Sequence, residues 1–351
     1  MDKSRNISFD LLRIIAAFSV VVLHVCSKYI DLCPVGTMDF NAANFYNSIN
    51  RFGVPIFVMI SGAIFLNPQK QVDTKRLWLH NIFRIFIVYL VWGFLYYLYQ
   101  CIHDWNFNLW TAGIVRTVKG IVYGSDHLWF LPMIIGLYML VPILRSWLGK
   151  ATKQNVEYFL VLFFVFQIAK TTVEILLGSS LVTRITELFK IVELTGYLGY
   201  FVLGYYLTNY EVSKKIRYAV YLSVPADIAL NYLVSWKFSN IIGYYHPGVY
   251  DCFGIFTFAE VIAIFMVIIN VVSEKKIPTG LSKFIKNVSS DTFGIYLGHV
   301  MILNFAYSEG WFSKALPSAL YVLPVSLAVF TAMCLVSAGL RRLPFVGRYL
   351  A

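Results

Sequence analysis

The chain has 351 residues, of which 59% are hydrophobic, 17% aromatic and only 13% charged. Soluble domains carry about 25% charged residues, so this composition excludes a soluble globular protein and describes a polytopic membrane protein with little mass outside the bilayer. The formal net charge of +11 invites a nucleic-acid reading. The basic residues instead collect in the loops between apolar spans, where they set topology and contact anionic lipid headgroups, so no nucleic-acid partner is expected.

The first apolar stretch, 9–29, contains Arg13 and His24. Ionisable side chains at membrane depth are costly and usually face a polar interior. Eleven residues on a helix make three turns plus about 20°, with a rise of about 16.5 Å. Both residues are therefore expected on one face, Arg13 near one membrane surface and His24 beyond the midplane. Asp10 sits three residues before Arg13, in place for an intrahelical ion pair. The competing reading leaves the Arg13 guanidinium to hold an anionic group such as a phosphate. Lys3 and Arg5 ahead of the apolar run resemble a signal peptide. Arg13 interrupts that run and no small-x-small site follows, so the segment reads as a retained helix.

Apolar stretches of about twenty residues span a bilayer as helices. About ten occur, near 8–29, 48–67, 79–102, 128–148, 156–177, 191–208, 216–236, 251–273, 290–308 and 318–340. The sixth is short, and the ninth is interrupted by Gly294, Gly298 and Gly310. The expected fold class is all-α: a polytopic integral membrane protein, a single membrane-embedded domain over 1–351. The cysteines Cys26, Cys33, Cys101, Cys252 and Cys334 show no metal spacing and read as unpaired fillers, with no metal expected, although Cys33 and Cys252 both fall in outer loops. The long 103–127 loop, with Trp105, Phe107 and Trp110, is expected to lie partly on the membrane interface.

Within the spans, His24 is the side chain that titrates nearest neutrality, and so the candidate general base or transient acyl carrier. Its alternative is a packing histidine. The run Lys75-Arg76, His80-Asn81 and Arg84 enters the third span from the basic side. It suits the phosphates of a cytosolic cofactor, or serves topology alone. Ser61-Gly62 reads as close helix packing or cavity lining. Lys170 and Glu174 are a turn apart and should pair. Glu260 is the most isolated acid at membrane depth, Asp227 and Asn231 form a polar patch, and Asp291 and His299 bracket Tyr296. No Walker-type glycine loop or dinucleotide fingerprint occurs, which argues against an energy-driven pump.

The ordered blocks of the chain resemble membrane-bound acyltransferase family 3. The first is Phe9-Asp10-Leu11-Leu12-Arg13-Ile14-Ile15-Ala16-Ala17 followed by His24. Gly53-Val54-Pro55-Ile56-Phe57-Val58-Met59-Ile60-Ser61-Gly62 and His127-Leu128-Trp129-Phe130-Leu131 with Pro142 follow it. Gly199-Tyr200-Phe201 with Gly204-Tyr205-Tyr206-Leu207, and Gly294-Ile295-Tyr296-Leu297-Gly298-His299, complete the set. Each block alone is degenerate; their order over nearly the whole chain is specific. The family often carries Arg-x-x-Arg at the third helix. Here Arg84 fits the second position while Asn81 holds the first, and Arg76 or His80 stands in.

The resemblance implies a multi-pass enzyme of the bacterial cell membrane. It would take an acyl group, usually acetyl, from cytosolic acetyl-CoA and pass it to a hydroxyl of a cell-surface carbohydrate or its lipid-linked precursor. On that reading His24 is catalytic and Arg13, Arg84 and Arg76 bind the acyl-CoA. Asp10, Ser61, Trp129, Glu260, Tyr296 and His299 line the substrate cavity. The competing class is a secondary transporter using an Arg–His proton pathway. Such transporters often show paired repeats with broken helices, and no repeat is visible.

The charge bias predicts that both termini are cytoplasmic, with Lys153, Lys214 and Lys286 on the cytoplasmic side. Reporter fusions after these three residues should all read cytoplasmic; an external signal at any of them contradicts the assignment.

Overall fold

In hydrocarbon a backbone finds partners only within its own segment or a closed barrel, so apolar runs wind into helices. The computed structural model describes residues 5–30, 32–103, 113–123, 125–178, 184–186, 188, 192–245, 250–272, 277–310, 317–344 and 347. The described residues are all-α, with no strand.

Twelve helical segments carry the fold: α1 (Ile7–Ile30), α2 (Met38–Ser48), α3 (Gly53–Phe65), α4 (Thr74–His103), α5 (Gly113–Tyr123), α6 (Asp126–Leu148), α7 (Lys153–Leu177), α8 (Val192–Asn209), α9 (Lys214–Ile242), α10 (Ile255–Val271), α11 (Thr279–Ser308) and α12 (Ser318–Leu340). Among the described residues, six stretches are long and apolar enough to cross a membrane: α1, α2 with α3, α4, α6, α7 and α12. Among the others, α10 is apolar but only 17 residues long, and α9 and α11 are long but more polar.

Three local expectations change. The second span is not one helix from 48: α2 ends at Ser48, turns occupy 49–52, and α3 begins at Gly53. The ninth span is not broken at Gly294 or Gly298. α11 runs through both and starts at Thr279, well ahead of the apolar part. Gly298 serves packing instead, because a Cβ there would collide with the Met333 side chain and touch the Trp92 ring. Gly310, just past the helix end, does have the positive φ of a terminating glycine, +72°. Finally, part of the long outer loop is helical: α5 exposes Ile114, Val115, Val118 and Val122 along its length. Trp105, Phe107 and Trp110 lie outside the described residues.

Other local readings are realised. Lys170 Nζ lies 2.9 Å from Glu174 Oε2, and no disulfide links the five cysteines. α1 is the central helix. Leu12, Ala16, Ala17, Val20, Val21, Val22 and Val25 are all buried on it, and it packs against α3, α11, α12 and α2. Two helices open into wider π turns, Leu77–Ile82 in α4 and Phe164–Ala169 in α7. Such segments frequently accompany functional sites, and the first leads directly to Arg84. Arg145 of α6 anchors the turn after α3 by donating to the carbonyls of Phe65 (2.9 Å), Asn67 (2.8 Å) and Lys70 (2.6 Å). These groups need such a partner because a helix leaves its last carbonyls without intrahelical donors.

Ser61-Gly62 lies at the closest crossing in the fold. A Cβ on Gly62 would strike the Phe201 backbone in α8, and a Cβ on Gly204 would strike the Met59 backbone in α3. The two glycines thus let two backbones touch reciprocally, the small-residue contact typical of membrane helices. Gly62→Ala or Gly204→Ala should each lower the melting temperature in detergent, at a cost of about 1–3 kcal/mol from overpacking. Gly136→Ala, where a Cβ meets open space, should leave it unchanged or raise it slightly.

Candidate functional site

The site is built outward from one carboxylate. Asp10 is fully buried near the start of α1. Arg5 Nε lies 2.8 Å away, Arg13 Nη1 2.9 Å, and Ser289 Oγ of α11 donates to it at 2.7 Å. Arg5 also donates to Ser290 at 2.9 Å. The expected Asp10–Arg13 pair therefore forms, but as part of a knot joining α1 to α11. Asp10 orients the Arg13 guanidinium through one edge. Among the described residues that group hydrogen-bonds to Asp10 alone, and its remaining N–H donors are available to a ligand.

Arg13 lines a cavity of about 400 Å³ between α1, α3, α4, α6 and α11, within the size range of small-ligand sites. Its polar lining is Arg13, Ser61, His80, Asn81, Arg84, Tyr138 and Thr292, and its apolar lining includes Phe57, Ile60, Phe130 and Tyr296. Two arginines and no carboxylate line it, so its field favours an anion. The wide turn of α4 presents His80 and Asn81 beside Arg84, and Tyr138 donates to Ser61 Oγ at 3.4 Å.

Beyond the cavity lie three histidines from three helices. The ring centroids of His24 (α1) and His299 (α11) are 4.9 Å apart, those of His127 (α6) and His299 5.4 Å, and those of His24 and His127 6.2 Å. His299 Nδ1 faces the carbonyls of Ile295 (3.0 Å) and Tyr296 (2.8 Å), and its Nε2 is 3.2 Å from His24 Nδ1. His24 Nδ1 also faces the Val20 carbonyl at 2.8 Å. His127 Nε2 faces the Leu297 carbonyl at 3.3 Å, and Ser125 Oγ lies 2.7 Å from its Nδ1. Every ring nitrogen of the cluster thus has a partner among the described residues except His24 Nε2. None of the three makes an ion pair there.

An aromatic wall separates cavity and cluster. The rings of Phe57 and Phe130 are 6.1 Å apart, those of Phe130 and Tyr296 5.4 Å, and those of Tyr296 and His127 5.8 Å. The Tyr296 hydroxyl donates to the His127 carbonyl. Arg13 and His24 therefore share a helix face but not a continuous polar stripe. Ala17 and Val20, between them on that face, are buried in apolar clusters.

Arg13, Ser61, Arg84 and Tyr296 come together around the cavity, while His24 and His299 meet behind its wall. The remaining candidates lie elsewhere. Arg76 is exposed, its backbone N–H capped by Asp73, and His80 and Asn81 occupy the cavity instead. Asp10 acts through Arg13. Trp129 is partly exposed and packs on Tyr197, 5.4 Å between centroids. Glu260 is buried in α10, away from the cavity. His127 was visible in sequence only as part of a block; a histidine opening an apolar run carries the same signal that singled out His24.

A family profile described as an acyltransferase domain matches residues 6–339. No match is found among curated proteins or among solved structures. Asp10→Ala should leave two partly exposed guanidiniums facing each other and cost about 1–3 kcal/mol, less than a fully buried pair because solvent screens them. Thermal melting in detergent measures the loss, and an unchanged melting temperature would show that the knot contributes nothing.

Proposed function

The chain belongs to acyltransferase family 3 and is a membrane acyltransferase; from that premise we propose that it transfers acetyl from cytosolic acetyl-CoA to a hydroxyl of a cell-surface carbohydrate or its lipid-linked precursor. It would do so as a single membrane-embedded domain of the bacterial cell membrane with the Arg13 end of α1 facing the cytoplasm. The observation that carries the reading is the pairing of an acid-free, arginine-lined cavity with a histidine cluster in which, among the described residues, only His24 Nε2 lacks a partner.

Arg13 and Arg84 suit the phosphates of coenzyme A, because guanidinium forks match phosphate oxygens. A cavity of about 400 Å³ accommodates the acyl-pantetheine arm, leaving the nucleotide at the mouth. The acyl end would then reach in between Phe57, Phe130 and Tyr296, so that the thioester carbonyl meets the acceptor hydroxyl at His24 Nε2. His24 Nε2 takes the proton of the acceptor hydroxyl as its oxygen attacks the thioester carbonyl carbon. The C–S bond breaks, and the departing thiolate takes the proton back from the imidazolium. The ester forms with one proton moved and no net redox change.

His24→Asn keeps a polar side chain but cannot take a proton. It should fold and insert normally while the transfer of labelled acetyl to membrane glycan falls by about 10²–10⁴-fold. Arg13→Lys should weaken acetyl-CoA binding in detergent, since a point ammonium does not reproduce the fork. Near wild-type transfer by a well-folded His24→Asn protein would make His24 a packing residue. Unchanged affinity in both Arg13→Ala and Arg84→Ala would remove the cavity from donor binding.

A further inference from the structure

We propose that His299 is a positioning residue for His24: its Nε2 lone pair accepts the Nδ1–H of His24 and so aims His24 Nε2 at the acceptor hydroxyl. This deepens the acyltransferase reading and rests on it for its kinetic part.

A carbonyl oxygen only accepts, so a ring nitrogen facing one must carry a proton. His299 Nδ1 faces two carbonyls, of Ile295 at 3.0 Å and Tyr296 at 2.8 Å, and is therefore N–H. His299 is fully buried and without an ion-pair partner among the described residues. A ring so placed is uncharged, because an unpaired charge at this depth is expensive. An uncharged imidazole carries one N–H, so His299 Nε2 is a lone pair.

That lone pair lies 3.2 Å from His24 Nδ1, which also faces the Val20 carbonyl at 2.8 Å. Both neighbours are acceptors, so His24 carries its proton on Nδ1 and presents a bare Nε2. The Val20 carbonyl belongs to the same helix as His24 and moves with it. His299 is on α11, and among the described residues it alone hydrogen-bonds the His24 ring to another helix. Its role is the one a carboxylate plays behind a catalytic imidazole: it fixes tautomer and ring angle, and it faces the Nδ1–H of the imidazolium formed in the reaction. A neutral acceptor does this without burying a second charge.

His127 does not compete for this role. Its Nε2 faces the Leu297 carbonyl and its Nδ1 faces the Ser125 hydroxyl. Both its nitrogens are thus engaged away from His24.

The chain has six histidines, few enough to assign individually. Long-range 15N–1H spectra of 15N-histidine-labelled protein in detergent, with single His→Gln variants for assignment, read each tautomer without substrate. The expected spectrum shows Nδ1–H with bare Nε2 for both His24 and His299. A proton on His299 Nε2, or His24 as the Nε2–H form, overturns the proposal. In the kinetic arm, His299→Leu should lower kcat for acetyl transfer by about 10- to 100-fold, the scale of losing an orienting partner, with KM for acetyl-CoA unchanged. His299→Gln, whose amide oxygen accepts from His24, should recover most of that loss. Equal loss in both variants, or none in either, overturns the positioning role. Loss of transfer in the wild type under every acceptor tried would count against the acyltransferase reading alone, since the spectrum reports on the pair independently.

Discussion

A polar group inside a hydrocarbon layer has to find its partner within the protein, and the contact between α1 and α11 is where this chain meets that requirement. At one end the Asp10 carboxylate gathers Arg5, Arg13 and Ser289. About four turns along α1 from Asp10, His24 meets His299. Two helices far apart in sequence are thus joined by the Ser289–Asp10 hydrogen bond, the His24–His299 contact and the Lys28 ammonium over the Tyr307 ring, with apolar residues packed between. The rest of the bundle takes its position from that pair. α3 lies against α1 and carries Ser61 and Phe57 to the cavity, and α6 brings His127 and Phe130 from the other side.

The two polar regions are chemically different. The Arg13 region is cationic and lined by groups that bind oxyanions, whereas the histidine region makes no ion pair among the described residues and is hydrogen-bonded mostly to carbonyls. Phe57, Phe130 and Tyr296 stand between them. An enzyme that takes a charged donor from one side of a membrane and an acceptor from the other needs such a division. On the proposed function, that aromatic layer would hold back water and ions while admitting the acyl group toward His24.

Much of this architecture was legible in the sequence because apolar length and loop charge are strong signals. The spans realised as α1, α4, α6, α7 and α12, the Asp10–Arg13 pair, the Lys170–Glu174 pair and the tight contact at Gly62 all follow from local spacing. What local spacing misses is tertiary. The Arg13–His24 stripe looks continuous on a helical wheel, yet Ala17 and Val20 are closed over by neighbouring helices. Arg76 looked equivalent to His80 and Asn81 until the wide turn of α4 directed the latter two to the cavity. The polar opening of α11 concealed its first turns, because Thr279 to Ser289 has no long apolar run. The partnership of His24 with His299 spans 275 residues, and no periodicity in either segment announces it.

The central claim is that the arginine-lined cavity receives an acyl-CoA with its acyl end toward the histidines. Photocrosslinking with a coenzyme A thioester carrying a diazirine on a short acyl group tests this most directly, because it reports place rather than rate. The account predicts labelled peptides from the wall that contains Phe57, Phe130 and Tyr296, with labelling lost when unlabelled acetyl-CoA competes. Competable labelling confined to α9, α10 or α12, or no competable labelling of a folded protein, would contradict it.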